Sequence, residues 1–233
     1  MLHVTASTRR AAAAVLATVG VVVFGWLLES VAGDWGLADL DWPVLKGLAA
    51  HRGPAATAWA QALHAGSGPV ATLAVAGIVA AVWAVVGREL RRPALLLGAP
   101  LVDLALVTAV RYWVERERPP AWFDAVGGTG GPAFPSVHTS VVLTLLFVAL
   151  YLAYSRRESP RGLVVGVLVA GVLVMAVAAS DLYLGRHWLT DIVASGALSA
   201  IVLAGAVWID SHSRLGSDTA AADVAHPRAS ADT

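Results

Sequence analysis

Long apolar runs alternate with short polar segments along the whole chain. The runs cover about 11–29, 69–87, 94–113, 137–154, 162–180 and 189–209. Each is close to the roughly 20 residues that cross a bilayer as a helix. The pattern predicts an all-α fold: an integral membrane bundle of six transmembrane helices. The first run could also be read as a secretory leader, because Ser30-Val31-Ala32 resembles a cleavage site. It is longer than the apolar region of such a leader, and we read it as a span.

The polar segments differ in character. In 30–68, Asp34, Asp39, Asp41, Lys46, His51, Arg52, Gln61 and His64 are interleaved with Leu, Ala and Trp, and Pro43 and Pro54 punctuate the stretch. One or two short amphipathic helices on the membrane surface are expected there, with His51 and His64 on their exposed faces. Residues 114–136 form a polar loop containing Gly127-Gly128-Thr129-Gly130-Gly131, which reads as a flexible connection more readily than as a phosphate cradle. Residues 210–233 have no hydrophobic period and read as a disordered cytoplasmic tail. Neither a repeat nor a second domain is visible, so 1–209 is expected to be one domain. Asp103 is an acid inside the third run, and could serve function or structural pairing.

Composition agrees with a membrane protein. The chain is 58% hydrophobic and 14% charged, against about 25% charged in soluble domains. Most of its nine tryptophans lie near the ends of apolar runs, as in an interfacial aromatic belt. With no cysteine, disulfides, thiol catalysis and thiolate metal sites are excluded. Zero net charge offers nothing to a nucleic acid partner. No motif bears on oligomeric state. With six spans, Arg9, Arg10, Arg88, Arg91, Arg92, Arg156, Arg157 and Arg161 all fall on one side. The positive-inside rule makes that side cytoplasmic, together with both termini. Segments 30–68, 114–136 and 181–188 are then extracytoplasmic, and with them every chemically interesting motif.

Three motifs stand out. Residues 183–191 read Tyr-Leu-Gly-Arg-His-Trp-Leu-Thr-Asp. If a helix starts near Trp188, His187 and Asp191 share one face a turn apart. Asp191 could then fix the imidazole tautomer and leave the other nitrogen free to attack phosphorus. Taken alone, the pair reads as a helix cap. The second motif is Arg111-x6-Arg118-Pro119. The seven-residue spacing puts both arginines nearly on one helical stripe, ending where Pro119 disfavours helix. Two guanidiniums there could grip a phosphate, or could be snorkelling at the interface. The third is Pro135-Ser136-Val137-His138, directly before an apolar run. Ser136 is placed as an N-cap, and a helix N-terminus suits an oxyanion. His138 could protonate a leaving oxygen, or could be a polar residue at the membrane edge.

Together these residues resemble the type-2 phosphatidic acid phosphatase superfamily of membrane lipid phosphatases. That family carries Lys-x6-Arg-Pro, Pro-Ser-Gly-His and Ser-Arg-x5-His-x3-Asp. This chain has Arg111-x6-Arg118-Pro119, Pro135-Ser136-Val137-His138 and Ser180-Asp181-x5-His187-x3-Asp191. The resemblance implies that His187 is the nucleophile and forms a phosphohistidine. Asp191 would orient it, and His138 would protonate the leaving group. Arg111, Arg118 and Ser136 would hold the phosphate. It implies no metal or other cofactor, and the arginines would neutralise charge instead. The implied substrate is a lipid phosphate in the membrane: a polyprenyl diphosphate, phosphatidic acid, phosphatidylglycerophosphate or a prenyl-linked sugar phosphate.

Three positions depart from the family pattern. Arg111 replaces lysine and keeps the charge. Val137 replaces glycine, which costs little if the position is helical and strains the backbone if φ is positive. Asp181 replaces arginine, and a carboxylate facing phosphate is repulsive. The expectation is that Asp181 turns away or pairs with an arginine, while Arg186 supplies the missing cation. The alternative is a catalytically impaired binder or transporter of lipid phosphates with the same fold.

Overall fold

The computed structural model describes residues 5–127, 130–156 and 160–225. Gly128 and Thr129 of the glycine segment, Arg157, and 226–233 of the expected tail lie outside the described residues.

Eight α-helices are present among the described residues: α1 (Ala6–Gly33), α2 (Asp41–Ala50), α3 (Pro54–Gly66), α4 (Pro69–Gly87), α5 (Arg91–Val114), α6 (Val137–Tyr154), α7 (Pro160–Tyr183) and α8 (Leu189–Ala225). Local chemistry sets their ends. Thr5 caps α1 by accepting from the Thr8 N–H, and Ser136 caps α6 by accepting from Thr139. Pro54 and Pro69 start α3 and α4, where a missing N–H costs nothing. Asp34 closes α1 in the left-handed conformation, with its N–H bonded to Ser30 O.

Six helices are long and apolar enough to cross a membrane: α1, α4, α5, α6, α7 and the part of α8 from Leu189 to His212. Their outward faces are apolar and exposed, for example at Val15, Val22, Val75, Ile78, Val164 and Leu168. Such a surface needs hydrocarbon around it. The chain is therefore a multi-pass membrane protein. The two short helices expected within 30–68 are α2 and α3. α8 continues to Ala225, past the boundary expected at 209, and carries Ala220, Ala221 and Ala222 in its last turns. Alanine is the strongest helix former.

α1 packs along α8, and α6 is wedged between α5, α7 and α8. A Cβ on Gly20 would meet Ile201 and the Ala197 carbonyl, so glycine there lets α1 approach α8 closely. The α6–α8 seam is polar. Ser195 Oγ donates to the Asp191 and Ser136 carbonyls at 2.8 and 2.9 Å, and Ser199 Oγ donates to the Ser140 carbonyl at 3.0 Å. These two rungs set the register of the two helices. Beside the seam, the carboxylate of Asp103 is fully buried. The hydroxyls of Ser140 and Thr144 are near it, but neither reaches ordinary hydrogen-bond geometry.

Arg9, Arg91, Arg92 and Arg156 gather at one end of the bundle. Arg9 donates to Ser155 O at 2.9 Å, and Arg92 lies 3.7 Å from Asp210. α2, α3 and segments 115–136 and 184–188 meet at the other end.

Candidate active site

Residues 184–188 must turn the chain between α7 and α8. Gly185 permits this with φ +73, and a Cβ there would collide with the Phe123 carbonyl. The turn delivers His187, which is buried with its Nδ1 3.2 Å from Asp191 Oδ2. The same oxygen accepts the Trp188 N–H at 2.9 Å, so Asp191 also caps its own helix. An Nδ1–H donated to Asp191 leaves Nε2 with its lone pair free. The i, i+4 spacing thus places the pair as the sequence suggested.

The other oxygen of Asp191 is held by a residue absent from the sequence-based candidates. Arg116 Nη1 is 2.6 Å from Asp191 Oδ1 and 2.6 Å from Thr190 Oγ1. Its Nη2 is 2.6 Å from Asp41 Oδ2 on α2. Asp41 accepts in turn from the Thr190 N–H at 2.9 Å and its hydroxyl at 2.7 Å. The guanidinium lies over the Trp188 ring, whose Nε1–H donates to Glu117 O at 2.9 Å.

Arg116 reaches inward because α5 stops early. Glu115 is left-handed at φ 51, with its N–H on Arg111 O, and the helix ends at Val114. The helical stripe expected to join Arg111 and Arg118 therefore does not form, since the residues after Val114 are not helical. The two arginines are aimed by carbonyls instead. Arg111 Nε donates to Pro132 O at 2.8 Å, and Arg118 Nε donates to the Gly130 and Gly131 carbonyls. Arg118 Nη1 also donates to Arg186 O at 2.6 Å. The described part of the glycine segment thus serves as a set of acceptors. Arg118, Arg186, Gly130 and Gly131 line a cavity of about 530 Å³. Burial, and then the charges of Arg111 and Arg186, bring the pKa of Arg118 down to about 10.

α6 starts at Val137, directly after the Ser136 cap. Val137 is helical, so replacing the family's glycine strains nothing. His138 sits in the first turn and stacks on His64 of α3, with ring centroids 4.2 Å apart and planes 19° apart. Asp181 completes the cluster. Its Oδ1 is 2.7 Å from His64 Nδ1, and its Oδ2 accepts from Ser136 Oγ at 3.1 Å. Two expectations are corrected here. Asp181 neither turns away nor pairs with an arginine: its partners are His64 on one oxygen and Ser136 on the other. His64 is not on an exposed face, because α3 packs against α7. Arg186 is 3.5 Å from Asp124 and lines the cavity beside Arg118.

The donor atoms of His64, His138 and Asp181 lie within 4.8 Å of one another, close enough for a metal ion. In this arrangement His64 Nδ1 and Ser136 Oγ each bond one of the Asp181 oxygens instead. The cluster is a hydrogen-bonded one.

All seven sequence-based candidates, Arg111, Arg118, Ser136, His138, Arg186, His187 and Asp191, therefore converge on one end of the bundle. Arg116, Asp41 and His64 join them there. The arrangement offers an oriented imidazole beside a cavity flanked by guanidiniums, with a second imidazole nearby.

Comparison with known proteins bears on the family and the fold. The model of the PAP2 superfamily matches residues 92–214. No curated protein matches the chain. Among solved structures, the chain is similar to one described as the crystal structure of the first transmembrane PAP2 type phosphatidylglycerolphosphate phosphatase from Bacillus subtilis. Identity is 20%, the TM-score is 0.67, and the match covers 85% of this chain and 96% of that one.

Proposed function

The chain belongs to the PAP2 superfamily, and on that premise we propose that it is a membrane lipid phosphatase acting through a phosphohistidine. The observation that carries this is the buried His187 Nδ1–Asp191 Oδ2 pair at 3.2 Å, directly after Arg186, which lines the cavity together with Arg118.

In the first step, His187 Nε2 attacks phosphorus, the bond from phosphorus to the lipid-side oxygen breaks, and His138 gives that oxygen its proton. In the second step, His138 takes a proton from water, the resulting hydroxide oxygen bonds to phosphorus, and the P–N bond breaks. Inorganic phosphate leaves, and both imidazoles return to their starting states. Asp191 steadies the positive charge that develops on His187 during attack. Arg111, Arg118 and Arg186 neutralise the phosphoryl oxygens, and Ser136 with the α6 N-terminus adds donors.

The substrate is a phosphomonoester or diphosphate of a lipid, such as phosphatidic acid, a phosphatidylglycerophosphate or a polyprenyl diphosphate. The reacting groups sit at the end of the spanning helices, where a headgroup lies when its chains stay in the bilayer. Arginine placement in the short loops supports an extracytoplasmic side for this end.

The test is inorganic phosphate release from a panel of these lipids by detergent-purified protein, with chelator present and His187→Ala run in parallel. Release that vanishes in the variant is the expected result. Phosphate binding without release from any lipid would instead make the chain a silent lipid-phosphate binder.

A further inference from the structure

The family's third motif has an arginine where this chain has Asp181, so this corner of the site has undergone a charge reversal. The carboxylate is fully buried, in the same cluster as Ser136 and His138. An isolated carboxylate there would oppose an incoming phosphate. The structure shows what accompanies it: His64 from α3, with Nδ1 2.7 Å from Asp181 Oδ1 and its ring stacked on His138.

Building on the phosphatase reading, we propose that His64 is a phosphate-binding residue of this chain, and that Asp181 positions it and holds it as a cation in the role of the missing arginine. With Nδ1–H directed at Asp181, Nε2–H is the only polar group left on the ring, and it is a donor only in the imidazolium. An arginine meets phosphate with a fixed charge at any pH. An imidazole, by contrast, carries its charge only when both ring nitrogens are protonated. The other charged or titratable groups around the pair are His138 on α6, Arg186 and His187 in the α7–α8 turn, and Arg118 in the segment after α5. Asp181 thus lies among two arginines and three imidazoles, of which Arg186 and His187 have carboxylates of their own in Asp124 and Asp191.

The test separates charge from shape. His64→Asn retains a donor near the Nδ1 position for Asp181 but carries no charge. Binding of orthovanadate to the full-length detergent-solubilised protein is measured against pH, alongside KM and kcat for phosphate release. His64→Asn and His64→Ala should both weaken vanadate binding and raise KM by about tenfold or more at pH 6, the loss of one charge-assisted hydrogen bond. The ratio of wild-type to His64→Asn affinity should fall towards one as pH rises. Asp181→Arg combined with His64→Ala should recover affinity and make it less dependent on pH than in the wild type.

Recovery in His64→Asn of wild-type affinity at pH 6 would reduce His64 to a structural role and overturn the proposal. So would a binding step that chelator abolishes and a divalent cation restores, which would make the cluster a metal site. If vanadate binds in a His64-dependent way but no lipid is hydrolysed, the phosphatase reading fails and this one stands. If phosphate is released but KM and vanadate affinity are unchanged by His64→Asn, only this one fails.

Discussion

Arg116 Nη1 lies 2.6 Å from Asp191 Oδ1, so the carboxylate that orients His187 is itself clamped by a guanidinium. Arg116 also carries Asp41 at 2.6 Å, and both carboxylates are buried. Removing the shared cation strands two negative charges. Arg116→Ala should therefore destabilise the protein by about 3–5 kcal/mol, the usual range for breaking a buried pair. It should also lower kcat more than it raises KM. Thermal unfolding in detergent and steady-state phosphate release read the two effects separately. Asp41→Asn together with Arg116→Ala should be less harmful than the sum of the single changes.

Gly185→Ala tests the turn that presents His187. The backbone there is left-handed, and the added methyl would strike a peptide carbonyl rather than a movable side chain. We expect a loss of about 2 kcal/mol or more in stability and a fall in activity, because His187 is only two residues away. Unfolding curves and activity at a permissive temperature check this. A well-folded, fully active Gly185→Ala protein would contradict the close approach of Phe123.

Burial, and after it the neighbouring charges of Arg111 and Arg186, lowers the pKa of Arg118 to about 10. Because the free site holds excess positive charge, an anion should stabilise it. Vanadate at about 100 times its Kd should add about 2.7 kcal/mol, seen as an upward shift of the unfolding midpoint. Arg118→Gln should abolish most of that shift. An equal shift in the variant would remove Arg118 from the phosphate site.

Asp103 is a different kind of buried acid. It has no ion-pair partner among the described residues and lies on α5 two turns before Arg111. Asp103→Asn keeps the shape and removes the charge. Its melting midpoint should be equal or higher, and phosphate release should stay within about twofold of wild type. Breaking a needed buried pair would instead cost about 3–5 kcal/mol, so a large fall in the midpoint would show that the carboxylate has a partner.

Local features were legible in the sequence, and long-range ones were not. The Ser136 cap and the His187–Asp191 pair depend on neighbours within four residues, and the six apolar runs needed only length and composition. Arg116 meets Asp191 across 75 positions, Asp41 meets Thr190 across 149, and His64 meets Asp181 across 117. Nothing in a one-dimensional pattern pairs such residues. Arg116, between Glu115 and Glu117, reads as one charge of a solvated loop. The Arg111–Arg118 stripe failed because a non-glycine residue, Glu115, adopts the left-handed conformation and ends the helix before the position Pro119 suggested. A signal for His64 did exist. Once Asp181 stood in place of an arginine, a compensating cation was to be sought on the same side of the membrane, and His64 is one of only two histidines in 30–68.

The two serine rungs between α6 and α8 have a consequence for how such a protein diversifies. They tie the helix starts bearing His138 and Asp191 into one body, with His187 two residues before the second, whereas Arg118 is aimed by the carbonyls of the intervening loop. Changes in that loop can alter headgroup preference while the spacing of the reacting groups passes unchanged from ancestor to descendant.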